Sequence, residues 1–137
     1  RLKTSSDQPL DTNDAFAERA LTDKERMTVL WLLQHGNADA ATFIPDVDLA
    51  TVVGVCPCGC DTIDFAISGI RPAGNGMNVL SDFYWIDDNG YTNGIFVFSV
   101  SGQLAGLEVY SCDGECGTVR MPAPTRLMRM PEPQSGG

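Results

Sequence analysis

From residue 22 onward the apolar positions fall first at helical and then at strand spacing. Thr22 with Glu25 three places later makes a capping box, and Met27, Val29, Leu30, Trp31, Leu32 and Leu33 carry the apolar load until Gly36 offers a stop. This predicts an amphipathic helix with His35 in its last turn, where the helix dipole favours a cation. Asn37 is placed to cap a second short helix over 38–44, closed by Pro45. From about residue 50 the period changes to two. Segments 51–55 and 62–67 are β-branched and alternating, 68–78 reads as a Gly- and Pro-containing loop, and 79–86 reads as a strand ended by the turn Asp87-Asp88-Asn89-Gly90.

The strongest local signal is a hairpin of 94–100 and 103–110 joined by Ser101-Gly102. With a two-residue turn, Phe98 opposes Ala105 and Phe96 opposes Leu107, giving one apolar face for the helix to cover. Leu30, Leu33, Phe96, Phe98, Leu107 and Val109 are the expected core. Helices followed by strands predict an α+β fold, with N-terminal helices packed on an antiparallel β-sheet around a central hairpin. Residues 1–20 read as a flexible arm, 21–120 as a single α+β domain, and 121–137 as a Pro/Gly-rich tail.

Composition narrows the function classes. At 137 residues the chain can bury a core without covalent staples, and no apolar run approaches the roughly 20 residues of a membrane span. Its 18 Asp and Glu against 9 Lys and Arg give a net charge of -9. Such a surface repels phosphate backbones and anionic lipid, so neither nucleic acid nor membrane is expected as a partner, whereas a basic protein is. Solubility alone is the plainer reading of the same charge.

The candidate chemistry lies in the cysteines. Cys56-Pro57-Cys58-Gly59-Cys60 places three thiols in five residues, and Cys112 and Cys116 follow at a three-residue spacing. The Pro and Gly suit a turn that aims backbone N–H groups at sulfur, but one residue between Cys56 and Cys58 is tighter than the two to four of structural zinc sites. The expected metal ligands are Cys112 and Cys116 with two of Cys56, Cys58 and Cys60, and zinc is the expected ion. The alternatives are small buried side chains at a strand-to-strand corner, or redox thiols at Cys58 and Cys60. The odd count and crowded spacing argue against a disulfide scaffold and for a reduced, cytoplasmic setting. The single histidine, His35, has no cue placing it near a thiol, the glycine-rich run 69–76 lacks the Lys-Ser/Thr of a phosphate loop, and 87–90 lacks the ligand pattern of a calcium loop.

The run Val55-Cys56-Pro57-Cys58-Gly59-Cys60-Asp61-Thr62-Ile63 and the later Leu107-Glu108-Val109-Tyr110 resemble a group of small uncharacterised bacterial proteins, of actinobacterial type. These share a Cys-x-Cys-Gly-Cys-x-Thr-Ile signature and a Leu-Glu-Val-Tyr strand. The resemblance covers roughly residues 22 to 111 and implies a cytoplasmic α+β protein without implying an activity; Cys112 and Cys116 lie outside the shared pattern. The sequence therefore favours a small acidic binding protein of immunity or adaptor kind over an enzyme, with a cysteine cluster for structural zinc. A thiol-based redox enzyme or sensor is the first alternative. A carrier acting through the terminal Gly136-Gly137 is the second, set against a chance or linker-derived ending.

Overall fold

Thr22 starts the helix as its chemistry dictates. Its side-chain oxygen accepts the Glu25 N–H at 3.1 Å while the Thr22 N–H donates to Glu25 Oε1 at 2.9 Å, so two otherwise orphaned donors are satisfied reciprocally. The Glu25 carboxylate also receives both Arg19 guanidinium nitrogens, at 2.9 and 3.0 Å. Burial pushes the Glu25 carboxyl up, but Arg19 and the Thr22 N–H outweigh it and hold the group below its ordinary range.

The computed structural model describes residues 17–74, 76–112 and 119–129 and shows an α+β fold. In chain order the elements are β1 (Arg19–Ala20), α1 (Asp23–Gln34), a 3-10 helix (Ala40–Leu49), β2 (Ala50–Val55), β3 (Ile63–Ile67), β4 (Met77–Ile86), β5 (Thr92–Val100), β6 (Gln103–Ser111), a 3-10 turn (Pro124–Arg126) and β7 (Met128–Arg129). The strands form one antiparallel sheet in the order β1-β2-β3-β6-β5-β4-β7. Val29, Leu32 and Leu33 of α1, with Ala40 and Val47 of the 3-10 helix, meet Val52, Phe65, Leu80, Trp85, Ile95, Val97, Leu107 and Val109 of the strands in the main core. Leu30 is half-buried at its margin.

Three expectations need correction. The second helix runs over Ala40–Leu49 as a 3-10 helix with Pro45 inside it, and Asp39 occupies the N-cap; Asn37 instead accepts the Asp39 N–H in a local turn and donates to Val79 O. The domain boundaries widen, because β1 lies within the expected arm and β7 within the expected tail. Each completes an edge of the sheet, and Met121 and Leu127 beyond the expected boundary are buried.

The third correction concerns the hairpin's faces. Ser101 and Gly102, both at left-handed φ, make the two-residue turn, but a bulge follows, so Phe98 pairs with Gly106 and Phe96 with Glu108. The extra residue, Ala105, turns Phe96 and Phe98 away from Leu107. Phe98 packs with Val100, Ala105 and the half-buried Phe96 in a second, smaller cluster on the face opposite α1. There the rings lie over glycines: a Cβ on Gly94 would come within 2.1 Å of the Tyr110 ring, and one on Gly106 within 2.8 Å of the Phe98 ring and 2.9 Å of the Ile63 carbonyl oxygen.

The two glycines are therefore expected to differ on substitution. Gly94→Ala asks only the Tyr110 side chain to swing aside, whereas Gly106→Ala also presses on backbone. Chemical denaturation should show Gly106→Ala losing roughly 1–3 kcal/mol and Gly94→Ala less. Equal or inverted losses would contradict this packing.

Candidate metal and thiol site

The cysteine run bridges β2 and β3, and its path is set by a turn the sequence specifies. Pro57 occupies the second position and Gly59 the fourth, with the Gly59 N–H donating to Cys56 O at 3.1 Å. Gly59 takes φ +96°, a backbone region that side chains resist. The loop closes where the Cys56 N–H donates to Thr62 O at 3.3 Å. Its far side is moored to a later segment: the Met121 N–H donates to Asp61 Oδ2 at 2.8 Å and the Asp61 N–H to Val119 O at 3.3 Å.

This loop gathers the sulfurs of Cys56, Cys58 and Cys60 within 4.8 Å of one another, close enough to share a metal ion. Cys56 Sγ and Cys58 Sγ are 2.8 Å apart. Cys60 is buried against the main core, as the small-hydrophobe reading expects, and its thiol donates to Thr62 Oγ1 at 3.4 Å. Thr62 continues the sheet with a side chain, accepting the Val109 N–H at 3.0 Å and donating to Val109 O at 3.1 Å.

Redox state departs from expectation. Cys56, Cys60 and Cys112 are free thiols, whereas Cys58 is disulfide-bonded. A disulfide at this position fits the exposure of Cys58 at the apex of the turn, in contrast to the buried Cys60. It also speaks against the expectation that every thiol is free or metal-bound. Cys112 does not join the gathered sulfurs. It is exposed past the end of β6, where its N–H donates to Thr92 O at 2.9 Å; among the described residues the sulfurs close enough to hold an ion are those of Cys56, Cys58 and Cys60. Cys116 lies outside the described residues, as do Gly136 and Gly137.

The thiols open onto a cleft of about 510 Å³ lined also by Thr62, Asp64, Glu108 and Tyr110. The Cys58 backbone N–H draws the Cys56 thiol down, but desolvation, Cys60 and the negative charge of Glu108 together raise it above its ordinary value. Burial first, then the charges of Asp82, Cys112 and Glu108, likewise raise Tyr110. Glu108 and Tyr110 were missed as site residues from sequence; their signal was the alternation of β6, legible only once the bulge at Ala105 is known.

His35 serves elsewhere. It is exposed at the end of α1, stacked on Trp31 with ring centroids 4.1 Å apart, and its Nδ1 lies 2.8 Å from Trp31 O. Trp31 in turn meets Phe83 of β4 edge-on. Three strand spacings, about 14 Å, separate β4 from the thiol-bearing β3 side of the sheet. Among the described residues no helix is long and apolar enough to cross a membrane. The chain matches no protein-family model, no curated protein and no solved structure.

Thr62→Val is expected to leave the Val109 N–H and C=O without their partner and to free the Cys60 thiol. Stability should drop by about 1–3 kcal/mol, and Cys60 should react faster with a thiol reagent. An unchanged labelling rate would show that Thr62 does not hold the site.

Proposed function

We propose that this protein is a small acidic metal-binding protein in which Cys56, Cys58 and Cys60 hold a thiophilic ion, with zinc the natural candidate. The observation that carries the reading is the convergence of three sulfurs within 4.8 Å on a turn built by Pro57 and Gly59. Soft thiolates favour zinc or copper(I) over hard cations. Three protein ligands leave one position of a zinc tetrahedron for a further ligand. The metal-competent form is the one in which Cys58 is reduced, because a disulfide sulfur offers no thiolate. A binding role is favoured over an enzymatic one because His35 sits across the sheet from the thiols and supplies them no base.

A second reading rests on a different observation, the disulfide at Cys58 with the free Cys56 sulfur 2.8 Å away. That arrangement suits thiol–disulfide exchange, in which the Cys56 thiolate attacks the Cys58 sulfur and the former partner sulfur leaves as thiolate. The raised Cys56 thiol weighs against it at neutral pH.

The test is zinc titration of the full chain after reduction, followed by removal of excess metal and elemental analysis. One equivalent should be retained and should raise the melting temperature, and Cys56→Ser or Cys60→Ser should abolish retention. Because Cys56 must lose its proton to ligate and its thiol is raised, affinity should climb as pH increases through neutrality. Reduced protein that retains no metal at any pH would overturn the metal reading. Rapid reaction of Cys56 with a small disulfide would then support the exchange reading.

A further inference from the structure

The five long strands β2 to β6 contain no Lys or Arg, and their three carboxylates, Asp64, Asp82 and Glu108, all stand on one face. The register shows this directly. Asp82 pairs with Phe96, which pairs with Glu108, so one row across β4, β5 and β6 sets a phenyl ring between two carboxylates. The next row sets Tyr84 and Tyr110 either side of Gly94; a third, from Val79 through Phe98 and Gly106 to Asp64, is partly occupied by the protein's own 71–74 segment, whose Arg71 stands near Asp64, so the first two rows are the open part of the face. The helices cover the other face. On this one Phe96, Tyr84 and Tyr110 remain half-buried, Val79 and Met77 are exposed, and Asp82 Oδ1 is buried with no hydrogen-bond partner among the described residues.

We propose that this open sheet face docks an arginine-bearing polypeptide segment of a second protein. Arginine suits the surface because its apolar stem and planar guanidinium lie on aromatic rings while its donors reach flanking carboxylates. Carboxylates and rings alternate here at the spacing of adjacent strands, about 4.8 Å, so one extended segment can meet several of each. The two-residue strands β1 and β7 cover only part of the outer edges of β2 and β4, whereas the face alone presents carboxylates and rings together.

Charge excludes the competing occupants. A second copy would set these carboxylates against their own equivalents. Residues 130–137 contain no Lys or Arg, and residues 1–16 set Arg1 and Lys3 against Asp7, Asp11 and Asp14, a net negative balance. The overall charge of -9 steers a basic partner toward the protein, and the row through Asp82, Phe96 and Glu108 gives it a place to land.

The test titrates the full chain into a fluorescently labelled synthetic peptide of alternating Arg and Val at low salt and reads anisotropy. Binding is expected, weakening steeply with added salt, and the double variant Asp82→Asn/Glu108→Gln should weaken it by about tenfold or more. Asp23→Asn/Asp39→Asn removes the same charge from the helical side, where both residues are exposed, and should change affinity little. Circular dichroism confirms that both variants fold. Equal weakening by the two double variants would reduce the effect to net charge and overturn the proposal. Absence of binding at low salt would overturn it too, as would sedimentation showing dimers that the Asp82→Asn/Glu108→Gln variant dissolves.

Discussion

One layer of helix covers one face of a seven-stranded sheet, and the strands' alternation must answer to that asymmetry. Val52, Phe65, Ile95, Val97, Leu107 and Val109 point toward α1 and are fully or almost fully buried. Burying each such side chain contributes about 1.5–3 kcal/mol, and an ionised carboxylate among them would cost far more. The three carboxylates of the long strands, Asp64, Asp82 and Glu108, are thereby sent to the other face. Asp82 shows the tension that results: among the described residues its Oδ1 finds no donor, and burial raises its carboxyl above the ordinary range. A raised carboxyl destabilises the fold as pH climbs through it, so the uncovered face is held at some cost to stability.

The sequence made the local elements legible where a single residue type decides them. The capping box at Thr22 and Glu25, the turn at Ser101 and Gly102 and the turn after β4 at Asp87 each follow from side-chain chemistry over three or four positions. What was not legible is the set of irregularities between them. Bulges interrupt β2 after Val52, β4 after Val79 and β6 at Ala105. Each inserts one residue, and because side chains alternate with period two, one residue reverses the face of all that follows. For that reason plain alternation puts Phe96 and Phe98 on the helical face, whereas the bulge places them opposite it. The short edge strands were hidden differently: two residues carry no periodicity, and Arg19 joins the domain through its paired bonds to Glu25 rather than through any strand pattern.

The thiol corner was legible in its upstream half. Pro57 and Gly59 announce a turn, and the turn brings three sulfurs together. Downstream, Cys112 shows that spacing along the chain says nothing of direction in space. Cys112 follows the end of β6 and is held by its backbone bond to Thr92 of β5, whereas the upstream loop is drawn to β6 one step earlier by Thr62 at Val109. The three-sulfur set thus depends on a threonine that no metal-ligand spacing rule would select.

Corner and face are not electrically separate. Glu108 and Asp64 line the thiol cleft and also stand in the rows of the open face, and the charge of Glu108 contributes to holding the Cys56 thiol high. A cation seated over Glu108 would offset that charge and draw the thiol down, toward the thiolate that both metal binding and disulfide exchange require. By reciprocity, a thiolate at Cys56 would strengthen the attraction of the face for a cation. The bulge at Ala105 underlies this coupling, because without the extra residue Glu108 would face the helices and the thiols would look out on an uncharged strand.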